Sequence, residues 1–180
     1  HRRRGHRLIL RPGSSLQGSL SYNFSDSFIL GEIDGRFTDL AALGRFAGMS
    51  LRGRGEFRGK FSRLKDRQHI EISIQGKSIG TPWGDAVEAA LTADLVDPAR
   101  QPSGRADLSL RQFKTGGLDI HSLSIKSSAN GKDFGFSASA QGKAKMPFTM
   151  EMEGSLAWAV EETRLRMNSL KGRVGGRRVQ

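Results

Sequence analysis

The stretch FGFSASAQGKAKMPFTMEMEGSLAWAV, Phe134 to Val160, decides the fold. Its even positions are apolar or glycine almost without a break: Phe134, Phe136, Ala138, Ala140, Gly142, Ala144, Met146, Phe148, Met150, Met152, Gly154, Leu156, Trp158 and Val160. Its odd positions are mostly polar. A period of two is the mark of β-strands with one apolar and one wet face. A hairpin preserves such a phase, so the run predicts one continuous apolar face over several strands. Pro147 falls on the polar parity, which suits an edge or a bulge.

The same alternation recurs upstream. Leu16, Gly18, Leu20, Tyr22 and Phe24 alternate with Gln17, Ser19, Ser21 and Asn23. Leu51, Gly53, Gly55, Phe57, Gly59 and Phe61 alternate with Arg52, Arg54, Glu56, Arg58 and Lys60, and Ile70, Ile72 and Ile74 follow suit. Residues 83–90 could open a helix, but Val87, Ala89, Leu91, Ala93 and Leu95 alternate and favour a strand. Turn signals stand at Pro12-Gly13, Asp34-Gly35, Gly76-Lys77, Asp97-Pro98 through Ser103-Gly104, Gly116-Gly117, Asn130-Gly131, Gly172 and Gly175-Gly176. Short strands at this spacing predict a sheet of roughly ten strands. Glycines on the apolar parity, such as Gly18, Gly55, Gly59 and Gly154, point either to strands that curl around something or to plain sheet corners.

One helix is expected near residues 39–47. Thr38 or Asp39 can cap it, Leu40, Leu43, Phe46 and Ala47 form a stripe, and Gly48 can end it. It either closes one end of the core or acts as a lid or partner-binding element. The fold expected is therefore all-β: a bent, antiparallel-rich sheet forming an open apolar trough, with this one short helix.

The chain has 180 residues with 23 glycines, 5 prolines and no cysteine, so a disulfide frame or thiolate metal site is ruled out. That length fits a single β-rich segment, residues 1–180, with residues 1–5 expected to be a disordered basic end. The net charge of +11 suggests anionic surroundings such as nucleic acid, lipid headgroups or an acidic partner, while the spread of the cations along the chain reads first as solvated polar faces. No apolar run approaches the roughly 20 residues of a membrane-spanning helix, and Leu8-Ile9-Leu10 is too short for a signal core. A start at His1 without methionine reads as an excised part of something longer.

No enzyme constellation is present. His1, His6, His69 and His121 are scattered, without the spacing of a zinc site. Neither a Gly-x-Ser-x-Gly elbow nor a Walker loop occurs. Glu161-Glu162 reads as a solvated strand end. No catalytic residue, cofactor or metal is expected. Nucleic acid is disfavoured, because Phe57 and Phe61 share the parity opposite to Arg54, Arg58 and Lys60, whereas a stacking platform needs rings and cations on one surface.

Two segments carry a family resemblance. Asp39-Leu-Ala-Ala-Leu-Gly-Arg-Phe-Ala-Gly-Met-Ser-Leu-Arg-Gly-Arg-Gly-Glu-Phe-Arg-Gly resembles a short helix followed by a Leu-x-Gly strand that recurs in TamB proteins. Gly117 to Gly131 with Phe134 to Gly142 is similar to that family's repeated glycine, strand, turn, strand units. The likeness spans residues 28 to 180, and the AsmA-like envelope proteins share the style. It implies a lengthwise-bent sheet in the periplasm, hung from an inner-membrane anchor outside this chain. It also implies phospholipid movement toward the outer membrane and work with an outer-membrane barrel partner of the TamA type.

Together these readings predict a lipid conduit whose groove is lined by Leu51, Phe57, Phe61, Leu108, Leu110, Phe134, Phe136, Met146, Phe148, Met150, Met152, Leu156 and Trp158. Flexible methionines suit a mobile, non-specific guest. The alternative is a scaffold that assembles outer-membrane β-barrels or autotransporters by pairing with their strands; a plain adhesin segment is a third reading.

Overall fold

A computed structural model of the chain describes residues 12–23, 27–46, 48–158 and 163–179. The strands are β1 (Ser15–Asn23), β2 (Phe28–Phe37), β3 (Arg52–Leu64), β4 (Arg67–Thr81), β5 (Gly84–Val96), β6 (Ser103–Thr115), β7 (Leu118–Asn130), β8 (Asp133–Lys143), β9 (Pro147–Trp158), β10 (Thr163–Val174) and β11 (Arg177–Val179). One helix, α1 (Ala41–Phe46), lies between β2 and β3. All eleven strands form a single sheet in chain order, every neighbouring pair antiparallel. Its ends, β1 and β11, do not pair, so the sheet is open and not a barrel. The all-β fold, the open sheet and the one short helix agree with the sequence reading.

The hairpins follow from local chemistry. Gly116-Gly117 and Gly175-Gly176 both have positive φ at the two turn positions, the conformation whose twist matches paired strands. Lys65 and Asp66 make the same kind of turn with φ of 47° and 61°, and without glycine that turn carries no signal in the sequence. In contrast, Asp34-Gly35, Gly76-Lys77 and Gly172, expected as turns, lie inside β2, β4 and β10. Gly35 and Gly76 there make room for the Phe37 ring and the Ile79 side chain.

Helix α1 starts two residues after Asp39, and Ala47 at the other end of the expected span lies outside the described residues. Asp39 Oδ1 accepts the Ala41 amide at 2.9 Å, which starts it. Gly48 follows with φ of 69°, its amide donating to the Arg45 carbonyl at 3.3 Å. The Leu40 amide donates to the Gly53 carbonyl at 2.8 Å, tying the helix entry to the start of β3.

Strands β4 to β7 share an irregularity. Lys77, Glu88, Arg111 and Ser122 form one cross-strand row, and Ile79, Ala86, Phe113 and Ile120 form the next. A single residue separates the rows on each strand: Ser78, Val87, Gln112 and His121. Regular alternation would put two rows so spaced on the same face. Instead Ser78 and Gln112 adopt φ of 54° and 51°, and the face presented by the chain switches parity. Strands β3 and β8 lack this extra residue, and the register shifts where they meet β4 and β7. Val87 was expected in line with Ala89 and Leu91; it is the inserted residue of β5 and is exposed.

Candidate functional site

Residues directly opposite one another in an antiparallel pair project from the same side of the sheet. The register therefore assigns both faces. One row runs Leu16, Gly35, Phe57, Ile74, Leu91, Leu108, Ile125, Ala138, Met152, Leu170, with no polar residue across ten strands. A second runs Phe37, Gly55, Gly76, Ala89, Leu110, Leu123, Ala140, Met150, Gly172. A third runs Gly18, Ile33, Gly59, Ile72, Ala93, Ala106, Ser127, Phe136, Gly154, Met167. Its one hydroxyl, on Ser127, donates to the Ala106 carbonyl at 3.2 Å. A fourth row carries Leu20, Phe61, Ile70, Leu95, Phe134 and Leu156, and a fifth carries Ile79, Ala86, Phe113, Ile120 and Phe148.

Little covers this face. Ile74 keeps 38% of its surface exposed, Met150 40% and Leu170 49%. Among the described residues no large side chain is fully buried, and the buried apolar residues are Phe37, Leu40, Ala86 and Ala140. A two-sheet sandwich would have buried the central rows against a facing sheet.

Four glycines of the face, Gly35, Gly59, Gly142 and Gly154, lie beneath rings. A methyl at Gly154 would fall 2.5 Å from Phe136 Cζ, and one at Gly59 would fall 2.9 Å from Phe57 Cζ and 3.3 Å from Phe61 Cε2. Gly35 lies under Phe37 and Gly142 under Phe148 in the same way. Rings over glycine fill the space that a side chain would take, as aromatic rescue does for bare positions in a sheet.

The opposite face is charged and paired. Arg58 Nε donates to Asp34 at 2.8 Å, Arg36 meets Glu56 at 2.8 Å and Arg111 meets Glu88 at 2.9 Å, each across a directly opposed pair. The hydrogen bond to Asp34, with that carboxylate's charge, raises the Arg58 pKa above its ordinary value. His69 Nε2 lies 2.8 Å from Asp94, and Arg52 reaches Asp85 over Gly80. Depressions of about 690 and 580 Å³ lie on this side, lined by such residues as Asp34, Arg58, Asp94 and Arg54, Glu88, Arg111. The first holds Glu32, Asp34, Glu71, Asp94 and Asp107 against Arg58, Lys60 and Arg105, whereas in the second Arg36 and Arg111 are paired and Arg54 and Lys77 have no ion pair among the described residues. Among the described residues no group of His, Asp or Glu could hold a metal ion.

Of the residues predicted to line a groove, ten fall in the five apolar rows: Phe57, Phe61, Leu108, Leu110, Phe134, Phe136, Phe148, Met150, Met152 and Leu156. Leu51 precedes β3 and packs at Gly44 of α1, at the covered end of the face. Met146 lies in the turn between β8 and β9, 54% exposed and outside the rows. Its even-number phase carried through the turn without a strand beneath it. Trp158 is the last residue of β9, and its side chain is outside the described residues, as are Phe24, Val160, Glu161-Glu162 and residues 1–5. The prediction omitted Ile33, Ile72, Ile74, Leu91, Leu123 and Ile125, several of which alternated visibly. It also omitted Ile79, Phe113 and Ile120, which the inserted residues bring onto the face.

No known protein family, curated protein or solved structure matches this chain.

Proposed function

We propose that the uncovered apolar face is a track for lipid acyl chains, and that the chain is a non-enzymatic conduit segment of a bacterial envelope protein. The observation that supports this reading is the continuity of the apolar rows across the sheet. A methylene exposed to water costs about 0.8 kcal/mol, so a sixteen-carbon tail costs on the order of 12 kcal/mol. A track lowers that cost only if its lining has no wet gap. Nine interstrand steps of about 4.8 Å, across the ten strands of the longest row, make this one about 43 Å long. Methionine, leucine, alanine and phenylalanine supply no fixed polar anchor, so a tail could slide along them. Headgroups would stay at the margin, near the arginines and lysines of the turns and edges.

The resemblance to TamB proteins supports the same reading and adds a setting. On this reading the segment would work in the periplasm, in a longer protein anchored in the inner membrane, and serve outer-membrane biogenesis with a TamA-type barrel partner. Among the described residues no helix is long and apolar enough to cross a membrane.

The test is site-specific photocrosslinking in vesicles of radiolabelled phosphatidylglycerol and phosphatidylethanolamine. A crosslinker at Leu108 should label lipid strongly, and one at Ser109, on the charged face, should not. Equal labelling at both, or none at Leu108 in a folded chain, would remove the conduit. Saturable binding of barrel-strand peptides without lipid would support the assembly scaffold instead.

A further inference from the structure

The turns at the two ends of the strands differ in charge. At the end away from α1, the described turns span residues 64–67, 96–103 and 130–133, and each carries an aspartate beside its cations: Asp66, Asp97 and Asp133. At the α1 end the strand-to-strand turns span residues 81–84, 115–118, 143–147 and 174–177, and none contains a carboxylate. The acidic residues nearest to them are already engaged. Asp85 is held by Arg52, Glu88 by Arg111 and Asp119 by Lys114. Arg54, Lys77, Lys143, Lys145 and Arg173 are left at this end without an ion pair among the described residues. Arg54 and Lys77 are directly opposed, a repulsive arrangement that an external anion relieves.

Trp83 stands at the tip of the β4–β5 turn. It is 67% exposed, the most of any large apolar side chain among the described residues. Its backbone is fixed: Thr81 Oγ1 accepts the Trp83 amide at 3.2 Å and donates to the Gly84 carbonyl at 3.0 Å. Met146, in the β8–β9 turn of the same end, is 54% exposed. Neither residue belongs to an apolar row.

We infer that this end of the sheet docks on the surface of a bilayer containing anionic phospholipid, with the Trp83 indole among the headgroups and the unpaired lysines and arginines near their phosphates. An indole has an apolar body and one N–H donor, which suits the headgroup level better than bulk water or hydrocarbon. Cations held close to an anionic surface strengthen such an anchor, and those more than a Debye length away contribute little. A lone exposed ring is ordinary on a protein surface. This one lies on the margin whose turns lack carboxylates, and the two features call for the same partner. An acidic protein would engage the cations and leave the ring in water. The inference concerns turns outside the apolar rows, so it stands whether or not those rows carry acyl chains.

Vesicle binding tests it. Vesicles of phosphatidylcholine mixed with phosphatidylglycerol should sediment the chain, and phosphatidylcholine alone should bind it about tenfold more weakly. The chain has two tryptophans, so in Trp158→Phe the emission is that of Trp83, and it should shift to the blue on binding. Trp83→Ser, with unchanged circular dichroism, should weaken binding about tenfold. Lys143→Glu with Lys145→Glu should do the same, whereas Arg100→Glu with Lys132→Glu, an equal change of net charge at the other end, should change it less than about twofold. Met150→Arg, which interrupts an apolar row, should leave sedimentation with vesicles unchanged, so failure of the docking and failure of the acyl track give different results. A chain that does not sediment with the anionic vesicles, binding unaffected by Trp83→Ser, no blue shift on binding, or equal losses from the two charge-reversed pairs would each overturn the inference.

Discussion

The corner of the apolar face beneath α1 and its centre around Ile74 and Leu108 are built from the same alternating code, yet they are different environments. At the corner, Leu40 lies over Gly55, its Cδ2 3.6 Å from where a methyl would stand. Phe37 and Leu40 retain 5% and 8% of their exposure there. In the centre no described residue lies over the rows, and Ile74 remains 38% exposed. Alternation specifies which side of a strand is apolar. Whether that side becomes a dry core depends on a second layer, and α1 supplies one only at the corner.

The largest effects should therefore come from the corner. Phe37→Ala removes a buried ring from the best-packed site, and should cost about 3–5 kcal/mol in urea unfolding. If the cost is under about 1 kcal/mol, α1 does not cover a core and the contrast with the centre disappears. The next largest effect should come from the tiling. Gly154→Ala puts a methyl against the Phe136 ring and should cost about 1–3 kcal/mol through displacement of that ring. Restoring space with Phe136→Leu in the same chain should recover part of the loss, because the two residues share one contact.

In the open rows, stability and binding should separate. Met150 is 40% exposed, so Met150→Arg keeps its charge in water and should change stability by no more than about 1 kcal/mol. The same substitution breaks an apolar row, and should lower phospholipid crosslinking from Leu110 several-fold. Unfolding of the Met150→Arg chain would mean that the centre is a closed core like the corner.

This contrast also explains which features were legible in the sequence. The phase of Phe134 to Leu156 located two strands and their shared face, because a hairpin with the right turn length keeps parity. The capping Asp39 and the Leu40 stripe located α1. Two features left no mark. Ser78, Val87, Gln112 and His121 are ordinary strand residues, and their role as insertions exists only relative to the neighbouring strands. A parity count therefore loses Ile79, Phe113 and Ile120, which lie an odd number of residues from Ile74, Leu108 and Ile125. Gly35 and Gly76 look like turn residues because glycine permits turns. Here Gly35 leaves room for the Phe37 ring and Gly76 for the Ile79 side chain, a reason that depends on tertiary contact.

The smallest effects should fall on the charged face, where the comparison predicts near-indifference. Arg36 and Glu56 meet at 2.8 Å, but their side chains are 68% and 59% exposed. Exposed pairs contribute about 0–1 kcal/mol, since water screens the attraction and two long side chains lose freedom to form it. Arg36→Ala should therefore shift stability by less than about 1 kcal/mol, and raising the salt should shrink the difference further, as the Debye length falls to about 3 Å near 1 M. It should leave crosslinking from Leu108 unchanged, because Arg36 projects from the other side of the sheet. A loss of lipid labelling in Arg36→Ala at constant stability would place the headgroup, and hence the track, on the charged face.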